Sequence, residues 1–161
     1  MARKPPQSRR VGPRVSPTCS CLVLCDDVVI SHALDKHQLS GIIGAMTVPF
    51  VPSLAPAGVV YVRVSNVPKS QKITVRLVRA DDDHEPLWAI EAEIINRNTP
   101  LDVHTLVAKV PAFVVARTGR HVLEAMYDGT PIASVPIMIQ AQFDAPPPGW
   151  PRAGPPEGNA P

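Results

Sequence analysis

Apolar and polar residues alternate through most of the chain, and a period of two is typical of β-strands that bury one face. The clearest example surrounds Asp128 and Gly129, where one alternating segment precedes the pair and another follows it. Asp-Gly favours a two-residue type I′ turn, which needs positive φ angles at both central residues. The pattern therefore predicts a β-hairpin in which Leu123 faces a core, while Val122 and Met126 lie on the opposite face.

Similar alternation upstream of this hairpin predicts about eight strands in all, with turn signals between them. Besides the two strands of the hairpin, the predicted strands are Cys21–Ile30, Gln38–Val48, Gly58–Ser65, Lys72–Ala80, Trp88–Ile94 and Val103–Val110. No segment has the sustained apolar spacing of an amphipathic helix. We therefore expect an all-β fold, namely an antiparallel β-sandwich with an immunoglobulin-like topology. A small closed β-barrel is the alternative, because it gives the same alternation and turn spacing.

Composition divides the 161 residues into one domain and two tails. The first tail, residues 1–18, is basic and contains no acidic residue, and the second tail, residues 145–161, is rich in proline. The basic tail has too few apolar residues to offset the entropy of folding, and proline-rich segments favour extended conformations. We predict a β-sandwich domain at residues 19–144 between two disordered tails.

The sequence also predicts a cytoplasmic protein with no membrane partner. No apolar run reaches the roughly 18 residues of a membrane-spanning helix. The basic N-terminus is not followed by the apolar region of a secretory signal. Cys19, Cys21 and Cys25 are an odd number of cysteines within a short span, so we expect reduced thiols rather than disulfides.

Three short segments carry a resemblance to a known family, and they are Leu24–Val28, Gln38–Gly44 and Gly119–Gly129. In these segments the chain resembles a family of small, uncharacterised bacterial proteins of unknown function that are interpreted as β-sandwiches. The resemblance covers about residues 21–140. It implies a β-sandwich, and it brings no activity, cofactor or catalytic residue with it.

Two clusters resemble metal sites, but each has a simpler explanation. Cys19, Cys21 and Cys25 could bind zinc together with a histidine, and strand alternation places all three on one side if the strand already runs at Cys19. However, a strand would separate Cys21 from Cys25 by about 13 Å, which is too far for one metal ion. The acidic run 81–85 could bind calcium, but it lacks the spaced ligands of a calcium loop. We therefore expect no metal site.

Asp26 and Asp27 are the main candidates for catalysis. Adjacent residues of a regular strand point to opposite faces, so their carboxylates cannot act as a paired acid and base unless a bulge intervenes. No catalytic histidine motif, nucleophile elbow or phosphate-binding loop is present in the sequence. We expect a structural role for the two aspartates, with no catalytic residue and no cofactor. A small metal-dependent or hydrolytic enzyme that uses them is the alternative.

The leading functional prediction is a non-enzymatic interaction module that binds another protein or itself. Val122 and Met126 are candidate interface residues because they face away from the predicted core. Trp150, in the proline-rich tail, could dock into an aromatic groove of a partner. Arg9 and Arg10, in the basic tail, could contact phosphates, which makes a nucleic-acid-associated protein the third hypothesis.

Overall fold

A computed structural model describes residues 16–31, 36–67, 70–81, 85–95, 102–146 and 148–149. The described residues form eleven strands and no helix, which confirms the all-β prediction. The strands are β1 (Thr18–Ser31), β2 (Lys36–Ile42), β3 (Ala45–Val48), β4 (Ser53–Ala55), β5 (Gly58–Ser65), β6 (Ser70–Arg79), β7 (Trp88–Ile95), β8 (His104–Val110), β9 (Phe113–Val115), β10 (Gly119–Tyr127) and β11 (Thr130–Ala141). Most of the two predicted tails lies outside the described residues. In the part of the chain that is described, no helix could cross a membrane.

Two large sheets form the domain. The four-stranded sheet has the order β2-β1-β5-β8, and the five-stranded sheet has the order β3-β11-β10-β6-β7. A separate ribbon pairs β4 with β9. All neighbouring strands are antiparallel except β3, which runs parallel to β11. Among the described strands, each large sheet ends in edge strands, so the core lies between two separate sheets.

Alternation places the inner side chains of both sheets in one core. The four-stranded sheet contributes Leu22, Leu24, Val60, Val62 and Val64, and the five-stranded sheet contributes Ile73, Val75, Leu77, Leu123, Ala125, Ile137 and Ile139. These β-branched and leucine side chains are buried where the period of two predicts an inner face. Their removal from water is the main stabilising term of the fold.

The hairpin of β10 and β11 turns at Asp128 and Gly129, whose φ angles are 47° and 73°. Positive φ at both positions is the requirement of a type I′ turn. Beyond the turn, Met126 pairs with Pro131 whereas Ala125 pairs with Ala133, so β11 contains one extra residue. This β-bulge shifts the register near the turn and leaves the inner positions farther along β11 in the core.

The segment that alternation predicts as one strand, Gln38–Val48, is divided between the two sheets. The Ile43 amide donates a hydrogen bond to the Leu24 carbonyl, with an N···O distance of 2.8 Å. The next carbonyl, that of Gly44, accepts one from the Met138 amide at 3.1 Å. The chain therefore crosses from the four-stranded to the five-stranded sheet at these two residues. This division of one predicted strand into two, together with the short strands β4 and β9, explains why eleven strands are observed where about eight were predicted.

The distal part of the β1–β2 hairpin folds back over the outer face of the four-stranded sheet. We call this part the arm, and it comprises residues 27–31 and 36–40. His37 pairs with Ile30 in the arm, whereas Tyr61 pairs with Val23 in the sheet. A straight β1 would place Val23 and Ile30 about 23 Å apart. However, Nδ1 of His37 lies 2.5 Å from the hydroxyl oxygen of Tyr61. β1 must therefore bend sharply between them.

Candidate functional site

Asp26 and Asp27 lie where the arm leaves the sheet. Alternation fails at this point, because Leu24 and Cys25 are both buried while the two aspartates that follow are both exposed. Gly41, across the strand pair, has a φ of 61°, and a Cβ there would overlap the Asp26 carboxylate and lie 2.5 Å from its Cγ. Asp26 therefore packs over a glycine that has no room for a side chain. This arrangement suits a bend, and it does not pair the two carboxylates for acid–base chemistry.

The three cysteines are free thiols in different environments. A register shift in β1 pairs Cys19 with Val64, which faces the core, and pairs Cys21 with Arg63, which is exposed. The prediction that alternation places Cys19 and Cys21 on one side is wrong, because the bulge inserts an extra residue between them. Within the described residues, no group of His, Cys, Asp and Glu side chains could hold a metal ion.

The bulge and the arm together create a small pocket, which we call the arm pocket. It has a volume of about 270 Å³, and it is lined by Cys21, His37, Leu39, Tyr61 and Arg63. His37 and Leu39 of the arm form one side of the pocket, and residues of β1 and β5 form the opposite side. Tyr61 is only 3% exposed, although its side chain lies on the outer face of the sheet. Its ring meets that of His37 edge to face, with 5.6 Å between the ring centroids. The pocket thus brings a thiol, an imidazole, a phenol and a guanidinium together.

The outer face of the five-stranded sheet contains the predicted interface residues. Val122 lies between Val78 and Pro136, and Met126 lies between Thr74 and Pro131, as the strand register dictates. We call this surface the outer patch, and it consists of Arg76, Val122, Glu124, Met126, Pro136 and Met138. Val122 and Met126 are half-buried, and Met138 is 39% exposed. Their orientation away from the core agrees with the alternation.

An ion pair occupies the centre of the outer patch. Both Nε and Nη2 of Arg76 contact Oε2 of Glu124, at 2.9 Å and 2.8 Å. The side chains are 23% and 14% exposed, so the pair is partly shielded from water. Charge-assisted contacts of this kind hold both side chains in a fixed orientation. The patch therefore presents one cation and one anion side by side, with Val122 and Met126 on either side of Glu124 along β10.

A second pocket, of about 390 Å³, lies at the end of the sandwich near the start of β10. We call it the end pocket, and it is lined by Arg79, Glu85, Pro86, Leu87, Val114, Ala116, Arg117 and His121. His121 is 1% exposed, and its Nδ1 donates a hydrogen bond to the Gly119 carbonyl at 3.1 Å. Burial lowers the pKa of His121, and the nearby Arg79 guanidinium lowers it further. The imidazole is therefore neutral at pH 7.

Sequence reasoning did not single out His121 as a buried titratable group. The signal was present, because His121 shares the inner face of β10 with Leu123 and Ala125. The neighbouring Arg79 forms two contacts with the Asp81 carboxylate, one of 2.9 Å and one of 2.5 Å. This hydrogen-bonded guanidinium lowers the pKa of Asp81. The contacts of the end pocket depend on strand register, which one sequence does not reveal.

A family model for a family of unknown function, DUF6941, matches residues 20–140, which is most of the chain. The chain belongs to this family. The match agrees with the resemblance to an uncharacterised family, and it includes all the residues that line the arm pocket and the outer patch. A comparison of this DUF6941 chain with curated proteins finds no match.

Several predicted site residues of the DUF6941 chain lie outside the described residues. They are Arg9 and Arg10 in the basic tail, Trp150 in the proline-rich tail, and residues 82–84 of the acidic run. The predictions for these residues stay predictions. The described residues instead gather candidate chemistry at the arm pocket, the outer patch and the end pocket.

Replacing His121 by glutamine is expected to remove a pH dependence of stability. The pKa of His121 is lowered in the folded protein, so below the unfolded value of 6.5 the unfolded chain binds the proton more readily. The wild type should therefore lose stability relative to His121→Gln as the pH falls through and below about 6.5. Urea unfolding of both proteins at each pH measures the difference. Parallel stability curves would show that His121 does not titrate as described.

Proposed function

We propose that this DUF6941 chain is a non-enzymatic β-sandwich interaction module that binds a second copy of itself through the outer patch. The observation that supports the proposal is the centre of that patch, where Arg76 and Glu124 lie side by side among apolar residues. A surface that carries both charges is complementary to itself. It suits an isologous interface, in which two copies use the same surface around a two-fold axis.

Two-fold symmetry would bring Arg76 of each copy toward Glu124 of the other. The ion pair would then become a network of four charges, which fixes the orientation of the two copies. Val122, Met126 and Met138 would supply the apolar contacts beside it. Methionine suits such a surface, because its flexible side chain adapts to the shape of a partner. The apolar side chains would contribute affinity, and the charges would contribute specificity.

The enzymatic alternative has less support. The Asp26 carboxylate lies against Gly41 at the bend, and both Asp26 and Asp27 are exposed. The nucleic-acid alternative depends on Arg9 and Arg10, and it stays a hypothesis.

The proposal also includes an immunoglobulin-like topology and a cytoplasmic location in a bacterium. The two facing, mainly antiparallel sheets, between which the chain passes more than once, support the topology. The three free thiols support a reducing compartment. The bacterial origin is inferred from the family resemblance alone.

Reversing one charge of the central ion pair tests the self-association. Arg76→Glu should weaken the dimer, because two copies would then face each other with acidic residues only. The double variant Arg76→Glu/Glu124→Arg exchanges the charges and should restore much of the affinity. Size-exclusion chromatography with light scattering gives the mass of each protein over a range of concentrations. Thermal unfolding of each variant shows whether the fold is retained.

The matched control is Lys109→Glu, which reverses the charge of an exposed lysine of β8, on the four-stranded sheet and away from the outer patch. We expect this variant to leave self-association near that of the wild type. The proposed interface is wrong if Arg76→Glu and Lys109→Glu have the same effect. It is equally wrong if the charge exchange restores nothing while both variants stay folded.

A further inference from the structure

The arm pocket contains chemistry that self-association through the outer patch does not use. It lies on the opposite sheet, under the arm, and four of its five lining side chains can ionise or donate hydrogen bonds. Tyr61, at 3% exposure, is fixed in place by the contact with His37. Cys21 supplies a nucleophilic sulfur atom at the edge of this rigid cluster.

Cys25 is the least accessible of the three thiols. It is 0% exposed, and its Sγ donates a hydrogen bond to the Val59 carbonyl at 3.5 Å. Burial raises the pKa of the Cys25 thiol, and the charges of Asp26 and Asp27 raise it further. Since the thiolate is the reactive form, Cys25 is poorly suited to exchange.

Cys19 is also poorly suited to thiol exchange. Its side chain packs against the core on the inner face of the sheet, and its Sγ donates a hydrogen bond to the Cys21 carbonyl at 3.2 Å. Burial raises the pKa of the Cys19 thiol as well. Cys21 differs because the bulge turns it to the outer face, opposite the exposed Arg63.

We propose that the arm pocket is a site of reversible thiol modification, in which Cys21 exchanges with a small disulfide that carries carboxylates. Three features of the pocket support this chemistry. Cys21 is partly exposed and lines a cavity with room for a small attached group. Arg63 offers a cation to a carboxylate of the incoming disulfide. The His37 imidazole and the Tyr61 hydroxyl add polar groups to the lining of the pocket.

The exchange is balanced without any further oxidant. The Cys21 thiol loses its proton to solvent, and the thiolate attacks one sulfur atom of the small disulfide. A new S–S bond forms between Cys21 and that sulfur, and the original S–S bond breaks. The second half of the small disulfide leaves as a thiolate and takes up a proton. A free thiol reverses the modification by the same route.

The modification is expected to disturb the arm. A group attached to Cys21 would occupy the space that His37 and Leu39 of the arm cover. The hydrogen bond between His37 and Tyr61 would then compete with contacts to the attached group. Because the arm is part of the four-stranded sheet, this disturbance leaves the outer patch on the other sheet in place.

Timed treatment of the full-length native protein with oxidised glutathione tests the proposal. Intact mass spectrometry should show one adduct per chain, and peptide mapping should place it on Cys21. Cys21→Ser should abolish the adduct, whereas Cys19→Ser should leave it unchanged. A thiol reductant should remove the adduct completely. NMR signals of Tyr61 should change on modification and recover on reduction.

Two disulfide reagents of different charge show whether Arg63 assists the reaction or whether Cys21 reacts only because it is accessible. Arg63→Gln should slow the reaction with anionic oxidised glutathione several-fold, yet hardly affect the reaction with neutral bis(2-hydroxyethyl) disulfide. Lys109→Gln, another exposed cation on strands of the same sheet, is the control and should alter neither rate. The proposal is overturned if the adduct lies on Cys19 or Cys25, or if it persists in Cys21→Ser. Equal slowing of both reagents by Arg63→Gln would overturn the proposed recognition.

Discussion

Replacing Gly41 by alanine is expected to lower the free energy of unfolding by about 2 kcal/mol, because two costs combine. Gly41 has a φ of 61°, a conformation that is unfavourable for any residue with a Cβ. The new Cβ would also overlap the Asp26 carboxylate, which would have to leave its place over the glycine. Urea unfolding followed by circular dichroism measures the loss.

Gly44→Ala is the control for the Gly41 experiment. A Cβ at Gly44 meets no atom within 4 Å, so this substitution should be close to neutral. The double variant Asp26→Ala/Gly41→Ala removes the carboxylate and should recover part of the loss, while the cost of the positive φ persists. If Gly41→Ala is no more destabilising than Gly44→Ala, the bend at Asp26 is described incorrectly.

The double substitution Val122→Asp/Met126→Asp is expected to weaken the proposed dimer by at least about 100-fold. Each aspartate would place a carboxylate in an apolar part of the outer patch, close to the existing Glu124. Two-fold symmetry doubles the effect, since the same charges then face one another across the interface. Sedimentation of both proteins at several concentrations gives the two dissociation constants.

Val107→Asp is the matched control for the interface. Val107 is an exposed valine on the four-stranded sheet, away from the outer patch, so its replacement should leave self-association unchanged. All three proteins should retain cooperative unfolding, because none of the substitutions alters a fully buried residue. An unchanged dissociation constant for the Val122→Asp/Met126→Asp protein would exclude the outer patch as the contact.

Alternation alone predicts which side chains form the core. Val60, Val62 and Val64 are buried in β5 as the period of two requires, and Leu123 lies opposite Val122 in β10. These assignments succeed because each depends only on neighbours in the chain. The Asp-Gly turn could also be predicted, because its type depends only on two adjacent residues.

The features that the sequence does not reveal depend on contacts between distant segments. β3 pairs in parallel with β11, although its own alternation is equally compatible with either sheet. The arm folds back because of the bend at Asp26 and the contact of His37 with Tyr61, whereas the sequence shows only that two aspartates interrupt an apolar run. A bulge leaves no signal either, and a single extra residue between Cys19 and Cys21 reverses the side on which one thiol lies.

The candidate sites likewise combine features that alternation predicts with features that depend on strand register. The outward orientation of Val122 and Met126 follows from alternation, but the pairing of Arg76 with Glu124 requires the register of two strands far apart in the chain. The end pocket gathers residues from four separate segments, so only the inward position of His121 could be inferred beforehand. Register is the information that one sequence lacks.

Sedimentation equilibrium of the full-length wild-type chain is the most direct test of the proposed self-association. Measured from low micromolar to submillimolar concentration, the average mass should rise from the 17.3 kDa of one chain toward twice that value, and it should stop there. Closure at two copies is the signature of a two-fold interface. A mass that stays at that of one chain over the whole range would contradict the account, and so would growth beyond two copies.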